Sequence, residues 1–295
     1  MKKVLFLLVA SVLCASCEKA VFNDIEDDGG AEYPVYGKVK KFTFTLKGDF
    51  SDEWKPVTRA YLNADDKDLT DVWVLDYMDG NLVQQLHQSD NTAEDFGQPT
   101  MNLSYGTHHV YFIASRGTDA VLDTETHLIT FGKISDTFYK DYEVSVVSTT
   151  NGNRAVTLDR CVTRLRLTFT DAISADAATI NFAPHTWYYG WDYIAGAPAD
   201  AETDQTVTIT IPDSEKGKTG VRANLFGFST AAEWTTNVAI NSKTSTNTII
   251  GQASITSAPF KANRITEYSG PLFSSEGSMT LSLNGTWDDA YNGVW

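Results

Sequence analysis

The side chains able to do chemistry are few, and their spacing does not favour it. The five histidines are His87, His108, His109, His127 and His185. None repeats at the i, i+4 interval that sets two metal ligands on one helical face. His108 and His109 are adjacent, and strand neighbours point to opposite faces, so a shared metal is not expected. Structural or surface roles fit them better. Cys161 has no second cysteine and no nearby histidine to chelate with or to activate it, and it is expected as a buried core thiol. Asp65 with Asp66 and Asp288 with Asp289 sit in polar, turn-like stretches and are expected as solvated loop residues. Phosphate-binding loops, dinucleotide glycine fingerprints and nucleophile elbows do not occur. No catalytic, cofactor-binding or metal-binding residue is therefore assigned, and an enzyme is not expected.

The densest chemical feature is aromatic. In PHTWYYGWDY, the residues Trp187, Tyr188, Tyr189, Trp191 and Tyr193 crowd together. Such a cluster can form a flat platform for sugars or a hot spot for a protein partner. It can equally be cross-strand ladder and sandwich core, and the sequence leaves both open.

Covalent chemistry is expected at the N-terminus. Lys2 and Lys3 precede an apolar run from Val4 to Leu13 and then small residues before Cys17, the anatomy of a secretory signal peptide over residues 1–16. The run is about half the roughly twenty residues needed to cross a bilayer, so it is an address and not a permanent span. Ala15, Ser16 and Cys17 resemble the lipobox, which implies cleavage before Cys17 and lipid on that cysteine. Cys14 is the other candidate, but the bulky Leu13 before it does not suit a small-residue cleavage site. Cleavage and lipidation leave Cys161 as the remaining thiol, so stability must come from packing and not from an intramolecular disulfide.

The formal charge of −15 becomes two units more negative when Lys2 and Lys3 are removed, and no basic block offsets it. Nucleic acid is not an expected partner. Glu18, Asp24, Glu26, Asp27, Asp28 and Glu32 follow the lipid site beside Gly29 and Gly30. Residues 17–37 therefore read as a self-repelling tether, spanning on the order of 25 Å as a coil. Acidic residues close to a lipidated cysteine resemble the surface-export signal of some outer-membrane lipoproteins.

From Val39 onward the dominant hydrophobic period is two, the signature of half-buried strands. Phe42, Phe44 and Leu46 alternate with Thr43 and Thr45. Trp73, Leu75 and Tyr77 lead into Asp79 and Gly80, a tight-turn pair, with the returning strand at Asn81 to Leu86. The period recurs at Val110 to Ala114, Tyr142 to Val147, Leu165 to Phe169, Val207 to Ile211 and Met279 to Leu283. Asn151 and Gly152 suggest a second hairpin, joining Tyr142 to Thr149 with Ala155 to Asp159. Helical periodicity is absent, and parallel sheets would call for crossover helices, so the expectation is all-β with antiparallel sandwiches. A boundary near Arg160 gives an N-terminal sandwich over 38–160 and a C-terminal one over 161–295, each of ordinary domain size.

Several stretches together resemble the fimbrillin superfamily, the subunits of Bacteroidetes-type (type V) fimbriae. They are the lipobox with its acidic tether, VTRA at Val57 to Ala60 after the first strand, the VWVLDYMDGNLV hairpin, VTLDRCVTRLRLTF at Val156 to Phe169, and FKANRITEYSG at Phe260 to Gly270. The resemblance implies two tandem transthyretin-like β-sandwich domains in a precursor carried to the outer membrane by its lipid. It also implies an arginine-specific protease that removes lipid and first strand, opening a groove that a C-terminal segment of a neighbouring subunit fills by donor-strand exchange. Carried onto this sequence, the cut falls between Arg59 and Ala60, and the displaced strand presents Phe42, Phe44 and Leu46. A plain surface arginine in a loop is the other reading of Arg59. Met279, Leu281 and Leu283 form a possible donor strand, or equally the last strand of their own sandwich.

The expected function is thus a structural subunit of a cell-surface fimbrium, located at the outer membrane and in the fimbrium. Its partners would be other fimbrial subunits, in a homo- or hetero-polymer, and the outer membrane through lipid on Cys17, with host or bacterial surface ligands as a further class. A lipid-retaining anchor or a tip adhesin is the alternative within the family. A surface glycan-binding lipoprotein using Trp187, Tyr188, Tyr189 and Trp191 is the alternative outside it.

Overall fold

The computed structural model describes residues 38–48 and 69–274, together with the backbone of 280–283. Alternation of β-branched or aromatic residues with polar ones makes strands nearly everywhere, and the described chain is all-β. Cys17, Arg59, Ala60, Met279 and both acidic pairs lie outside the described residues.

Two sheets enclose the first core. One has the order β4-β1-β9, with β1 at Val39–Lys47, β4 at Thr100–Ser104 and β9 at Asn153–Thr157. The other has the order β10-β8-β5-β2-β3. It consists of β2 (Asp71–Met78), β3 (Asn81–Gln88), β5 (Gly106–Ser115), β8 (Thr137–Val146) and the short β10 (Asp159–Arg160). Asp79 and Gly80 both take positive φ, 52° and 76°, as the hairpin between β2 and β3 requires. The core between the sheets includes Phe42, Phe44, Val74, Phe112 and Phe138.

A second pair of sheets encloses the second core. The first is β16-β11-β19-β20, with β11 at Val162–Phe169, β16 at Val221–Phe228, β19 at Ile265–Gly270 and β20 at Thr280–Leu283. The other is β15-β12-β17-β18, with β12 at Thr179–Pro184, β15 at Val207–Thr210, β17 at Trp234–Lys243 and β18 at Ile249–Phe260. Leu165, Leu167, Phe182, Trp187 and Phe260 are buried between them.

The sheet β14-β13-β7-β6 draws two strands from each side of Arg160: β6 (Thr118–Asp123) and β7 (Leu128–Lys133) before it, β13 (Trp187–Asp192) and β14 (Ala197–Glu202) after it. A third core gathers Tyr77 and Tyr111 from β2 and β5, Trp191 from β13, Phe226 and Phe228 from β16, and Ile265 from β19.

Two expectations about connectivity are corrected. Asn151 and Gly152 do not close a hairpin. β9 leaves the sheet of β8 and pairs in parallel with β1, Thr43 opposite Asn153 through Lys47 opposite Thr157. Gly152 is needed for a different reason, because a Cβ there would strike the Lys41 carbonyl oxygen as the chain crosses between sheets. Nor are all pairs antiparallel, since β11 and β19 also run parallel. Among the described residues, the chain between the members of each parallel pair holds other strands and one 3₁₀ turn at Asp213–Glu215, and no crossover helix.

Candidate functional site

β1 is not at an edge. Val39 to Thr43 pair antiparallel with β4, and Thr43 to Lys47 pair parallel with β9. Beyond the ladders, Phe44 N–H donates to the Pro99 carbonyl (3.0 Å) and Leu46 N–H to that of Gly97 (3.1 Å). On the other side Thr43 N–H donates to Gly152 O (2.8 Å), and Lys47 O accepts from Leu158 N–H (2.7 Å). Alternate backbone groups of one strand thus satisfy two neighbours.

The alternation FTFTL sends one face of β1 into the core. Phe42 and Phe44 are wholly buried, and Leu46 is half-buried. The Phe44 ring meets Phe112 edge-on at 5.0 Å and Tyr142 at 6.2 Å, while the Arg154 guanidinium lies 5.6 Å from the centre of the Phe42 ring. Thr43 on the opposite face reaches the Thr100 hydroxyl at 3.1 Å. If β1 were withdrawn, β4 and β9 would each present an unpaired edge, with Phe112 and Tyr142 on the floor between them.

At the other end of the chain, β20 is the last strand of its sheet among the described residues. It pairs antiparallel with β19 over four positions, from Thr266 opposite Leu283 to Ser269 opposite Thr280. Leu281 and Leu283 of the possible donor segment are therefore held here as backbone against β19, in the sheet β16-β11-β19-β20.

The aromatic cluster does not form a surface platform. Trp187 is wholly buried; its indole N–H donates to the Phe226 carbonyl (2.9 Å) and its ring stands edge-on to Phe260 at 5.0 Å. Trp191 is buried against Tyr139 and Phe228, and the Tyr193 hydroxyl lies 3.0 Å from that of Tyr77. Only Tyr188 and Tyr189 are half-buried. Alternation along β13 and the turn after it, with a sheet above and below, puts the indoles in cores.

Three polar side chains are buried within these layers. His108 Nδ1 lies 2.7 Å from Asp76 Oδ1, its Nε2 lies 2.9 Å from the Ser104 carbonyl oxygen, and the Ser104 hydroxyl stands 3.4 Å from Nε2. This is the residue set of a hydrolytic triad without its chemistry. Both partners of the ring are acceptors, so both ring nitrogens donate, and the ring has no lone pair with which to take a proton from Ser104. Desolvation pulls the imidazole pKa down, but the Asp76 bond and charge and the Ser104 carbonyl outweigh it, and the net shift is upward. His109 points the other way, to Asp141 at 3.1 Å on the surface.

The second is Asp136, whose carboxylate receives Arg160 Nε at 2.6 Å and Nη2 at 3.0 Å, and Arg116 Nη1 at 3.2 Å, all three side chains being buried. Arg160 also donates to Asn263 at 2.7 Å, tying the hub to the approach of β19. The third is Cys161, buried, with burial pushing its thiol pKa well up.

No family model matches the chain, and no curated protein matches its sequence. Solved structures do match in fold. A candidate adhesin from Bacteroides ovatus superposes with a TM-score of 0.50 at 13% identity, covering 86% of this chain and 97% of that one. The chain has that adhesin's fold. Also similar are a fimbrial assembly protein from Parabacteroides distasonis (TM-score 0.47, 10% identity, 87% of this chain and 99% of that one) and the C-terminally truncated tip fimbrial protein Mfa3 from Porphyromonas gingivalis (0.44, 12%, 83% and 100%).

Proposed function

We propose that this protein is a structural subunit of a cell-surface fimbrium, exported as a lipoprotein on Cys17 and assembled by donor-strand exchange after loss of β1. The observation that carries this reading is the position of β1. It is central in its sheet, holds two wholly buried phenylalanines, and leaves a two-edged apolar groove when removed. An exposed groove of that kind aggregates unless it is refilled, which makes it suited to one strand from a second copy or another subunit. On this reading Arg59 is the site of cleavage, before Ala60, and residues 38–160 and 161–295 act as the acceptor and donor domains.

Mass spectrometry of the mature protein taken from the cell surface tests it. An N-terminus at Ala60 is the expected result. A lipidated Cys17 retained with β1 in place would reject the shaft role and leave a subunit that cannot accept a strand, as suits an anchor.

A further inference from the structure

A carboxylate outside the groove bears on where the C-terminal segment can leave its sandwich. Asp171 lies just beyond β11. Its Oδ2 accepts the backbone N–H of Phe273 (2.7 Å) and of Ser274 (3.0 Å), and its Oδ1 accepts that of Leu272 (3.0 Å). Three consecutive amides therefore converge on one side chain, in bonds that are charge-assisted and roughly twice as strong as neutral ones.

Leu272 and Phe273 are also met from the opposite sheet, at Gly251 of β18. Leu272 is buried in the second core, and its carbonyl oxygen approaches Gly251 of β18 so closely that a Cβ there would stand 2.5 Å from it. Just upstream, Thr170 N–H donates to Gly270 O (3.0 Å), closing the end of β19 onto β11. Among the described residues, β20 pairs with β19 alone, across four residue pairs.

We infer that Asp171 is the hinge post of the donor segment. It holds Leu272–Ser274 so that β20 peels from β19 as a local event while β19 and the core beneath it stay closed. The inference rests on the strand-exchange reading for its purpose, and names a positioning residue for it. The six Cα–Cα steps from Ser274 to Thr280 can span at most about 22 Å, so the post also sets where the departing strand starts its reach toward a second copy of this chain.

Native-state hydrogen exchange on the full chain tests the hinge without requiring assembly. In the wild type, the amides of β20 are expected to exchange at least about 100-fold faster than those of Leu272, Phe273 and Ser274, because they open by a separate local event. Asp171→Ala is expected to raise exchange at Leu272–Ser274 to the rate of β20, with Thr266 and Tyr268 following, while Leu165 and Leu167 stay protected. Asp171→Asn, which keeps one acceptor oxygen, is expected to fall between the two. Gly251→Ala is the second route if Asp171→Ala does not fold, since it displaces Leu272 from the other side. Equal exchange of β20 and Leu272–Ser274 in the wild type, or an unchanged contrast in the variants, overturns the hinge.

A separate arm addresses the strand-exchange reading. In Ser269→Cys with Thr280→Cys, whose positions face each other across β19 and β20, an oxidised bridge is expected to block assembly and a reduced one to permit it. If the bridged protein assembles as well as the reduced one, strand exchange from β20 fails whatever Asp171 does.

Discussion

Replacing Phe44 with alanine is the sharpest test of the place given to β1. The ring is wholly buried and touches Phe112, Tyr142 and Phe42 at centroid distances of 5.0, 6.2 and 5.9 Å. Burial of such a side chain contributes about 2–3 kcal/mol, and the cavity left behind brings the expected cost of Phe44→Ala to about 3–5 kcal/mol. The cavity cannot collapse easily, because β1 is tied on both sides by backbone hydrogen bonds. The precursor that retains β1 is the protein to use, in urea unfolding followed by tryptophan fluorescence. With a slope of roughly 2–3 kcal/mol per molar urea, the midpoint for the unit containing β1 should fall by more than about 1 M. Val39→Ala on the same strand, at a residue 45% exposed, should move it by less than about 0.5 kcal/mol. A loss below about 1 kcal/mol for Phe44→Ala would refute the claim that β1 is a core strand, and with it the apolar groove.

Two further perturbations address the buried charges. Asp136→Asn should destabilise by about 3–5 kcal/mol in chemical unfolding, because it removes the carboxylate that Arg116 and Arg160 share in the interior; a loss within the range of surface substitutions would show that the hub is not formed. His108 has its pKa raised in the folded state, so its contribution is fully present below about pH 6.5 and is lost as pH rises through the higher folded value. Unfolding midpoints measured from pH 6 upward should fall accordingly, and His108→Asn should flatten that slope; an NMR titration of the ring with a midpoint below 6.5 would refute the assignment.

Much of the fold was legible because strand periodicity is local. The β2–β3 hairpin follows from apolar alternation and an Asp-Gly pair, and the strands at β1, β5 and β11 follow from the same alternation. The Asn151–Gly152 pair misled for a physical reason: a turn-forming dipeptide says that the chain bends, not which sheet receives it afterwards. The aromatic cluster shows the other limit. Its density is visible in the sequence, but burial depends on what lies above each face of β13, and those layers come from β16, β18 and β8 far along the chain.

Residue types and spacing alone determined the acidic stretch, the strand content and the scarcity of catalytic groupings, since each of these is a property of neighbours along the chain. Only the tertiary structure decided that β1 is central and not an edge, that β1 with β9 and β11 with β19 run parallel, that Asp136 gathers two arginines, and that Asp171 holds three amides a hundred residues away. Those are meetings of residues distant in sequence. They are set by how layers pack, which no local pattern encodes.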